Sequence, residues 1–438
     1  MPAQVIECCR SVVAAFDAVA GPARWGRLSS RPRFSTCLVV ALVMAGTAPW
    51  VLFARDLFLS RNWISGDFVA FFAAARLVAN GTGSQLYQLA SVAAVERDAV
   101  GHGVGGSGVL PYFNPPFFAW LLGPLAGLSL QGAYRVWSLF SLAWLALDAW
   151  LLWKIASPLS REWKRVLVVA FLVSLPVTFG LRQGQFSLIL EGSWSAAFLL
   201  LRSRRMGWAG VALSPVLIKP ELLIPIVCLF IWKREWRVLS ALSMCALAAV
   251  ALSIVTVGLT SARGYPGFLL DSTTWSTNGN TPALMFGWNG LLAASAPMGV
   301  ALRQGCAAAL GVASLGLASY AWGSSGVGPG RCFGERWLVL TLATMLIDQH
   351  FYFQDTVLLV PGIVAVLAYG RPGERLWLAG VAGAAWLVAL LATYPNETWH
   401  VDLLAALAVL ALIALASRHS LRIRRLRQRR PRTIATAA

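Results

Sequence analysis

Carboxylates are scarce in this chain, and Asp67 is the one whose setting asks for a reaction. It sits in Gly66-Asp67-Phe68, just after the first long apolar run, in a sequence that is 58% hydrophobic and 12% charged. A positioned acid can take a proton from a hydroxyl nucleophile. Further along, polar groups interrupt apolar stretches in three short patterns: Arg182-Gln183-Gly184-Gln185, Lys219-Pro220-Glu221, and Asp348-Gln349-His350 through Tyr352 to Asp355. Ionisable residues at membrane depth are expensive and are functional hypotheses by default. One base with several cationic groups suits transfer to a hydroxyl from a donor whose leaving group is a phosphate. Asp67 is the expected base, and Lys219, His350 and Arg182 the expected phosphate partners. Asp355 would orient His350 or hold a substrate hydroxyl.

Elements long enough to hold these groups must be membrane helices. With 438 residues and a mean hydropathy of +0.67, the chain repeats apolar runs of about 17–25 residues, the length that crosses a bilayer core. These runs are 34–53, 133–153, 165–181, 185–201, 238–258, 298–322, 376–392 and 401–416. An all-α polytopic membrane protein follows, since backbone groups in lipid must be satisfied internally. The formal charge of +18 is concentrated between spans and in Arg418–Arg432, as in cytoplasmic segments against anionic lipid, and does not imply a nucleic-acid partner. Seven cysteines include no CxxC metal spacing and no pair placed to form an exported disulfide, and no cofactor is expected.

Positive-inside bias puts both termini in the cytoplasm. Parity then requires two broken hairpins, 207–218 with 220–232 around Lys219-Pro220, and 337–347 with 356–369 around Asp348–Asp355. It also makes 117–130 re-entrant, giving about twelve helical passes. The expected organisation is a cytoplasmic segment 1–33, a membrane domain 34–416 and a basic tail 417–438. The domain carries outer loops at 54–132 and 260–297. The apolar spacing Phe68, Phe71, Phe72, Ala75, Val78 predicts a helix lying on the outer leaflet. Each candidate also has a plain structural role: Asp67 as an N-cap, Lys219 as a snorkelling side chain, Arg182 as a headgroup contact, His350 as a core histidine. Asp148 and Glu191, inside long spans, read as helix–helix partners. Broken helices with polar tips also occur in secondary transporters and flippases, the competing class; the chain shows no internal repeat to support it.

The order of the motifs resembles glycosyltransferase family 87, polyprenol-phosphate-mannose-dependent mannosyltransferases of the GT-C superfamily. The resemblance is carried by Gly66-Asp67, Tyr87, Tyr112 to Pro115-Pro116, Gly184-Gln185, Lys219-Pro220, Asn289 in Trp288-Asn289-Gly290, and His350 to Asp355, over about 60–362. It implies the GT-C fold and inverting, metal-independent transfer of a sugar, mannose first, from a polyprenyl phosphate to a lipid or glycolipid acceptor. The acid after the first span would be the base, on the outer face of the inner membrane. Tyr112, Asn114, Gln185, Asn289, Tyr352 and Asp355 become the expected substrate-binding residues. Ser187 stands where the family pattern Gly-Gln-x-Asn has Asn, which bears on the identity of sugar or acceptor.

Overall fold

The computed structural model describes residues 32–58, 66–105, 107–272, 284–295, 298–323, 327, 332–370 and 411. The expected span at 376–392, that at 401–416 apart from Ala411, the basic tail, and the termini lie outside the described residues. Within them the chain is helical, without strands, and five helices are long and apolar enough to cross a membrane: Ser35–Phe58, Leu130–Ile155, Arg161–Gln183, Trp236–Val257 and Val300–Trp322. This is an all-α polytopic membrane protein.

We number the helices along the chain. α1 (Pro32–Phe58) leads to α2 (Phe68–Ala79), α3 (Leu89–Val100) and the short α4 (Pro116–Leu121). α5 (Leu130–Ile155) starts where the Ser129 side chain accepts from Gly132 N at 3.2 Å, a cap worth about 1 kcal/mol. Its 26 residues span about 39 Å, more than a hydrocarbon core. The next span is broken. α6 (Arg161–Leu172) stops and α7 (Leu175–Gln183) restarts with Pro176 in its first turn, where the missing N–H does no harm.

α8 (Ser187–Arg202) is the centre of the core. Ser187 through Ser195 are all buried, and it packs against α5 on one side and against α9 (Met206–Ala212) on another. Asp148 of α5 and Glu191 of α8, both fully buried, face each other across this contact, as the helix-pairing reading expects. Gly192 permits it, because a Cβ there would collide with Asp148 Oδ1 and with Trp144 Nε1.

Both broken hairpins are present. In the first, 3-10 turns at Ser214–Ile218 and Pro220–Leu222 separate α9 from α10 (Leu223–Trp232), with Lys219 at the break. In the second, α15 (Phe333–Ile347) ends at Asp348, and a 3-10 turn at Phe353–Leu359 leads into α16 (Val360–Tyr369). Between the hairpins run α11 (Trp236–Val257), α12 (Leu259–Ser272), α13 (Trp288–Ser295) and α14 (Val300–Trp322). The 117–130 segment is α4, a 3-10 turn at Gly123–Leu125 and the start of α5.

α2 departs from the leaflet-lying helix that its spacing predicts. Nine of its twelve residues are buried, so it is enclosed by the bundle. Counting only the spaced positions missed that the residues between them are Val69, Ala70, Ala73 and Ala74. A helix apolar all round is a buried one.

The segment after α3 is fixed from within. Glu96, fully buried, accepts from Leu110 N at 3.1 Å through Oε2, while its Oε1 has no hydrogen-bond partner among the described residues. Burial pushes its carboxyl up to about 7 from 4.5. A carboxyl whose folded value is raised stabilises the fold below its ordinary range and loses that contribution as pH climbs to the folded value. The unfolding temperature in detergent should therefore carry a component that falls between about pH 5 and pH 8. Glu96→Gln should remove it. An unchanged slope in the variant would show that Glu96 is already ionised in the fold.

Candidate active site

Two glycine turns bring Asp67 to Gln185. Gly66 has φ +90° and Gly184 φ +67°, a region only glycine enters without strain. The two turns also touch. A Cβ on Gly66 would overlap Gln183 Oε1, and one on Gly184 would lie 2.6 Å from Phe68 Cβ. The Gly184 turn is itself held, since Trp137 Nε1 donates to Gly184 O at 2.7 Å, and the Tyr134 hydroxyl reaches Leu181 O and Arg182 O at 3.2 and 3.1 Å.

Asp67 occupies the N-cap position of α2, yet its side chain makes no capping bond. It accepts from Gln185 Nε2 instead. The capping role is therefore not the one its side chain performs. Desolvation raises the Asp67 carboxyl above its usual range, the Gln185 hydrogen bond pulls it back, and the nearby charge of Asp355 raises it.

Two residues past Gln185, Ser187 donates to Asp355 Oδ1 at 2.8 Å. The tripeptide Gln185-Phe186-Ser187 thus joins Asp67 to the second hairpin, and the serine at the expected asparagine position is engaged there. Asp355 Oδ2 takes Lys219 Nζ at 2.7 Å and Tyr352 N at 3.2 Å. Lys219 lies 3.2 Å from Asp348 Oδ2 and also donates to His350 O. Two of the ammonium's three donors are thus used in hydrogen bonds, to Asp355 Oδ2 and His350 O, while Asp348 is held as an ion pair. Asp348 Oδ1 accepts His350 N at 2.9 Å, so the histidine backbone is gripped on both sides.

The imidazole is enclosed as well. Phe113 stacks on it with centroids 5.7 Å apart, Ser272 Oγ lies 3.3 Å from Nε2, and Glu221 Oε1 lies 3.9 Å from Nδ1. Ligand atoms of Glu221, Asp348 and His350 fall within 4.8 Å of one another. Of these three, Asp348 is also ion-paired with the Lys219 ammonium.

The remaining expected residues divide. Asn114 is close to the cluster: its Nδ2 donates to Ile218 O at 3.0 Å, one residue before Lys219, and its carbonyl accepts from the Tyr87 hydroxyl at 2.9 Å. Tyr112 is buried and donates to Pro115 O at 3.1 Å, shaping the entry to α4. Asn289 Oδ1 accepts from Arg303 Nε at 3.0 Å; two residues before it, a Cβ on Gly287 would overlap Asp348 O, so this segment packs on the second tip. Arg182 is paired with Asp56 at 2.8 Å and is not part of the Lys219–His350 cluster. Sequence reasoning passed over Glu221, Asp348, Ser187 and Ser272 as site residues. The first two stand in the polar tips that it singled out, whereas nothing local marks the serines.

Beside the cluster an apolar cavity of about 570 Å³ runs between α4, α5, α11 and the Ser214–Ile218 turn. Phe118, Trp137, Phe140, Cys245 and Ile218 are among its walls. Phe140, Val136 and Leu121 on its rim are exposed, so it opens sideways, toward lipid in a membrane.

The sequence profile of glycosyltransferase family 87 matches residues 112–347, more than half of the chain. The chain belongs to glycosyltransferase family 87. The match decides for an enzyme and against the transporter class. It is narrower than the resemblance over 60–362, leaving Asp67 on one side and the whole Asp348–Asp355 tip on the other. Neither a curated protein nor a solved structure matches this family 87 chain.

Two outcomes follow from the geometry. Lys219→Met strands two buried carboxylates and should cost about 3–5 kcal/mol in unfolding free energy. Adding Asp348→Asn and Asp355→Asn should recover much of it; equal loss in single and triple variants would dismiss charge pairing as the cause. Gln185→Ala removes the donor that lowers the Asp67 carboxyl. The acidic limb of the kcat/KM profile should then move to higher pH, and a limb that stays in place would separate Asp67 from that ionisation.

Proposed function

We propose that this family 87 enzyme transfers a sugar, mannose first, from a polyprenyl phosphate to a hydroxyl of a lipid or glycolipid acceptor, with inversion and with Asp67 as general base. The observation that carries the reading is Asp67 left uncapped, raised by desolvation, and linked through Gln185-Phe186-Ser187 to the Lys219–Asp355–His350 cluster. A carboxyl held above its usual range is, in its ionised form, a stronger base than an exposed one. A phosphate leaving group needs no general acid of the kind glycoside hydrolases use. It does need positive charge and donors as it departs.

On this reading His350 donates to the phosphate. Lys219 acts through its field and by holding the His350 backbone and Asp355. Arg182 fixes the Gly184-Gln185 turn through Asp56 and does not touch donor. The apolar cavity takes the first part of the prenyl chain; at about 570 Å³ it is within the range of lipid and small-molecule sites. Ile218 lines it and Lys219 follows, so a chain seated there brings its phosphate to the polar tips. The site would face the periplasm from the inner membrane, with both termini cytoplasmic, and the membrane domain 34–416 would form the catalytic unit.

Purified protein given synthetic polyprenyl-phosphate mannose and a panel of lipid acceptors should transfer mannose. Asp67→Asn should lower kcat by roughly 10²–10⁴-fold, the usual contribution of a positioned acid or base, with folding unchanged. Equal transfer by both proteins would remove Asp67 from the chemistry. Transfer only from another polyprenyl-phosphate sugar, such as arabinose, would correct the sugar and keep the mechanism.

A further inference from the structure

The hydrogen bonds around His350 fix where its proton sits. A serine hydroxyl has one proton, and that of Ser272 goes to Leu269 O at 2.7 Å. At His350 Nε2, 3.3 Å away, Ser272 Oγ therefore accepts, and Nε2 carries hydrogen. A neutral imidazole has one N–H and one bare nitrogen. The bare one is Nδ1, and it faces Glu221 Oε1 at 3.9 Å.

Glu221 needs a proton there for its own reasons. Its Oε2 is buried without a hydrogen-bond partner among the described residues, a poor setting for a carboxylate. Three carboxylates, Glu221, Asp348 and Asp355, surround one ammonium, Lys219, which contacts the other two and not Glu221. The groups facing the imidazole are Glu221 on Nδ1, Ser272 on Nε2, Phe113 on the ring face, and Lys219 and Asp348 on the backbone. Glu221 is the one that can exchange a proton with the ring.

We propose that Glu221 and His350 share one proton, held on Glu221 at rest and passed to Nδ1 when an anionic donor enters, so that Glu221 is a positioning and charge-supplying residue of the site. The Glu221 O–H bond breaks and the Nδ1–H bond forms, leaving a carboxylate and an imidazolium. Nε2–H turns from Ser272 to a phosphate oxygen, and Glu221 accepts from Nδ1–H. An approaching anion favours the charged ring, and the carboxylate behind it keeps the ring oriented. Closing 3.9 Å to a hydrogen bond takes a shift of about 1 Å. The cationic group at the phosphate thus appears only when the phosphate is there. This inference rests on the phosphate-donor reading above.

The chain has four histidines, few enough for ¹⁵N-histidine NMR in bilayers, with His350→Asn assigning the signal. Without ligand, His350 should be neutral with hydrogen on Nε2. A neutral ring with hydrogen on Nδ1, or a ring already doubly protonated, overturns the proposal without any variant. With farnesyl phosphate as probe, wild type should show doubly protonated His350 together with a shifted ³¹P line. Isosteric Glu221→Gln should keep His350 neutral and bind the probe at least about tenfold more weakly, the equivalent of one pK unit. A shifted ³¹P line with His350 still neutral in wild type, or an imidazolium in both proteins, overturns the role of Glu221 alone. An unshifted ³¹P line at millimolar probe would instead overturn the phosphate-donor reading, and this proposal with it.

Discussion

A buried ammonium has to be surrounded by acceptors, and much of the active end of this enzyme is arranged around one. Lys219 is 7% exposed, and desolvating its charge costs several kcal/mol unless partners compensate. Those partners lie 129–136 residues later, on a different hairpin: Asp348, Asp355 and the carbonyl of His350. Each hairpin is broken where it supplies these groups, and a break in a membrane helix exposes backbone that must be satisfied locally. The two breaks solve this for each other and for the loop between α3 and α4. Ile218 O accepts Asn114, Asp348 Oδ1 accepts His350 N, and Asp355 Oδ2 accepts Tyr352 N. Stability and site geometry are thus one network here.

The second constraint is steric. Asp67 reaches Gln185 because two left-handed glycine turns interlock, and each excludes a side chain on the other. If Asp67 is the base proposed above, it benefits from such rigidity, since small errors in placement are costly in rate. The tripeptide 185–187 gives it a fixed relation to the anion side of the site. One end holds Asp67, the other holds Asp355, and Phe186 between them packs against Phe71 and Phe118. Asp67 and the Lys219–Asp355 cluster are therefore held in a fixed relation by Gln185 and Ser187 at the start of the buried helix α8.

How much of this could be read beforehand follows from the range of each interaction. Apolar runs and their proline and glycine breaks are local, so the spans, the two hairpins and the polar tips stood in the sequence. So did the prominence of Asp67, Lys219, His350 and Asp355, which are conspicuous against apolar surroundings. What each side chain touches is not local. Arg182 pairs with Asp56, 126 residues earlier, a contact that no local pattern announces. Asp67 fitted an N-cap by position, and only the distant Gln185 shows otherwise. α2 carried a helical apolar spacing that fits a leaflet surface and a buried core equally well; enclosure by other helices decided between them. Ser187 was visible only as a departure from a family pattern, and its partner Asp355 explains why a hydroxyl serves there.

The charge balance of the cluster bears on how an anion is received. A site for a leaving phosphate is usually thought of as standing positive charge. Here the standing charge is negative or neutral, because one ammonium answers to Asp348 and Asp355 with Glu221 close by. A preformed excess of positive charge beside Asp67 would hold that base ionised but weaken it, since an adjacent cation lowers a carboxyl's proton affinity. Keeping the cation enclosed by acids leaves desolvation as the dominant influence on Asp67, and that raises its basicity. The positive charge the phosphate requires is then best supplied late, by a group that changes state on binding. Histidine is the side chain whose charge can follow its surroundings near neutral pH. On the proposed reading, a base kept strong before binding and a phosphate partner made cationic during it are two outcomes of one arrangement of acids around Lys219.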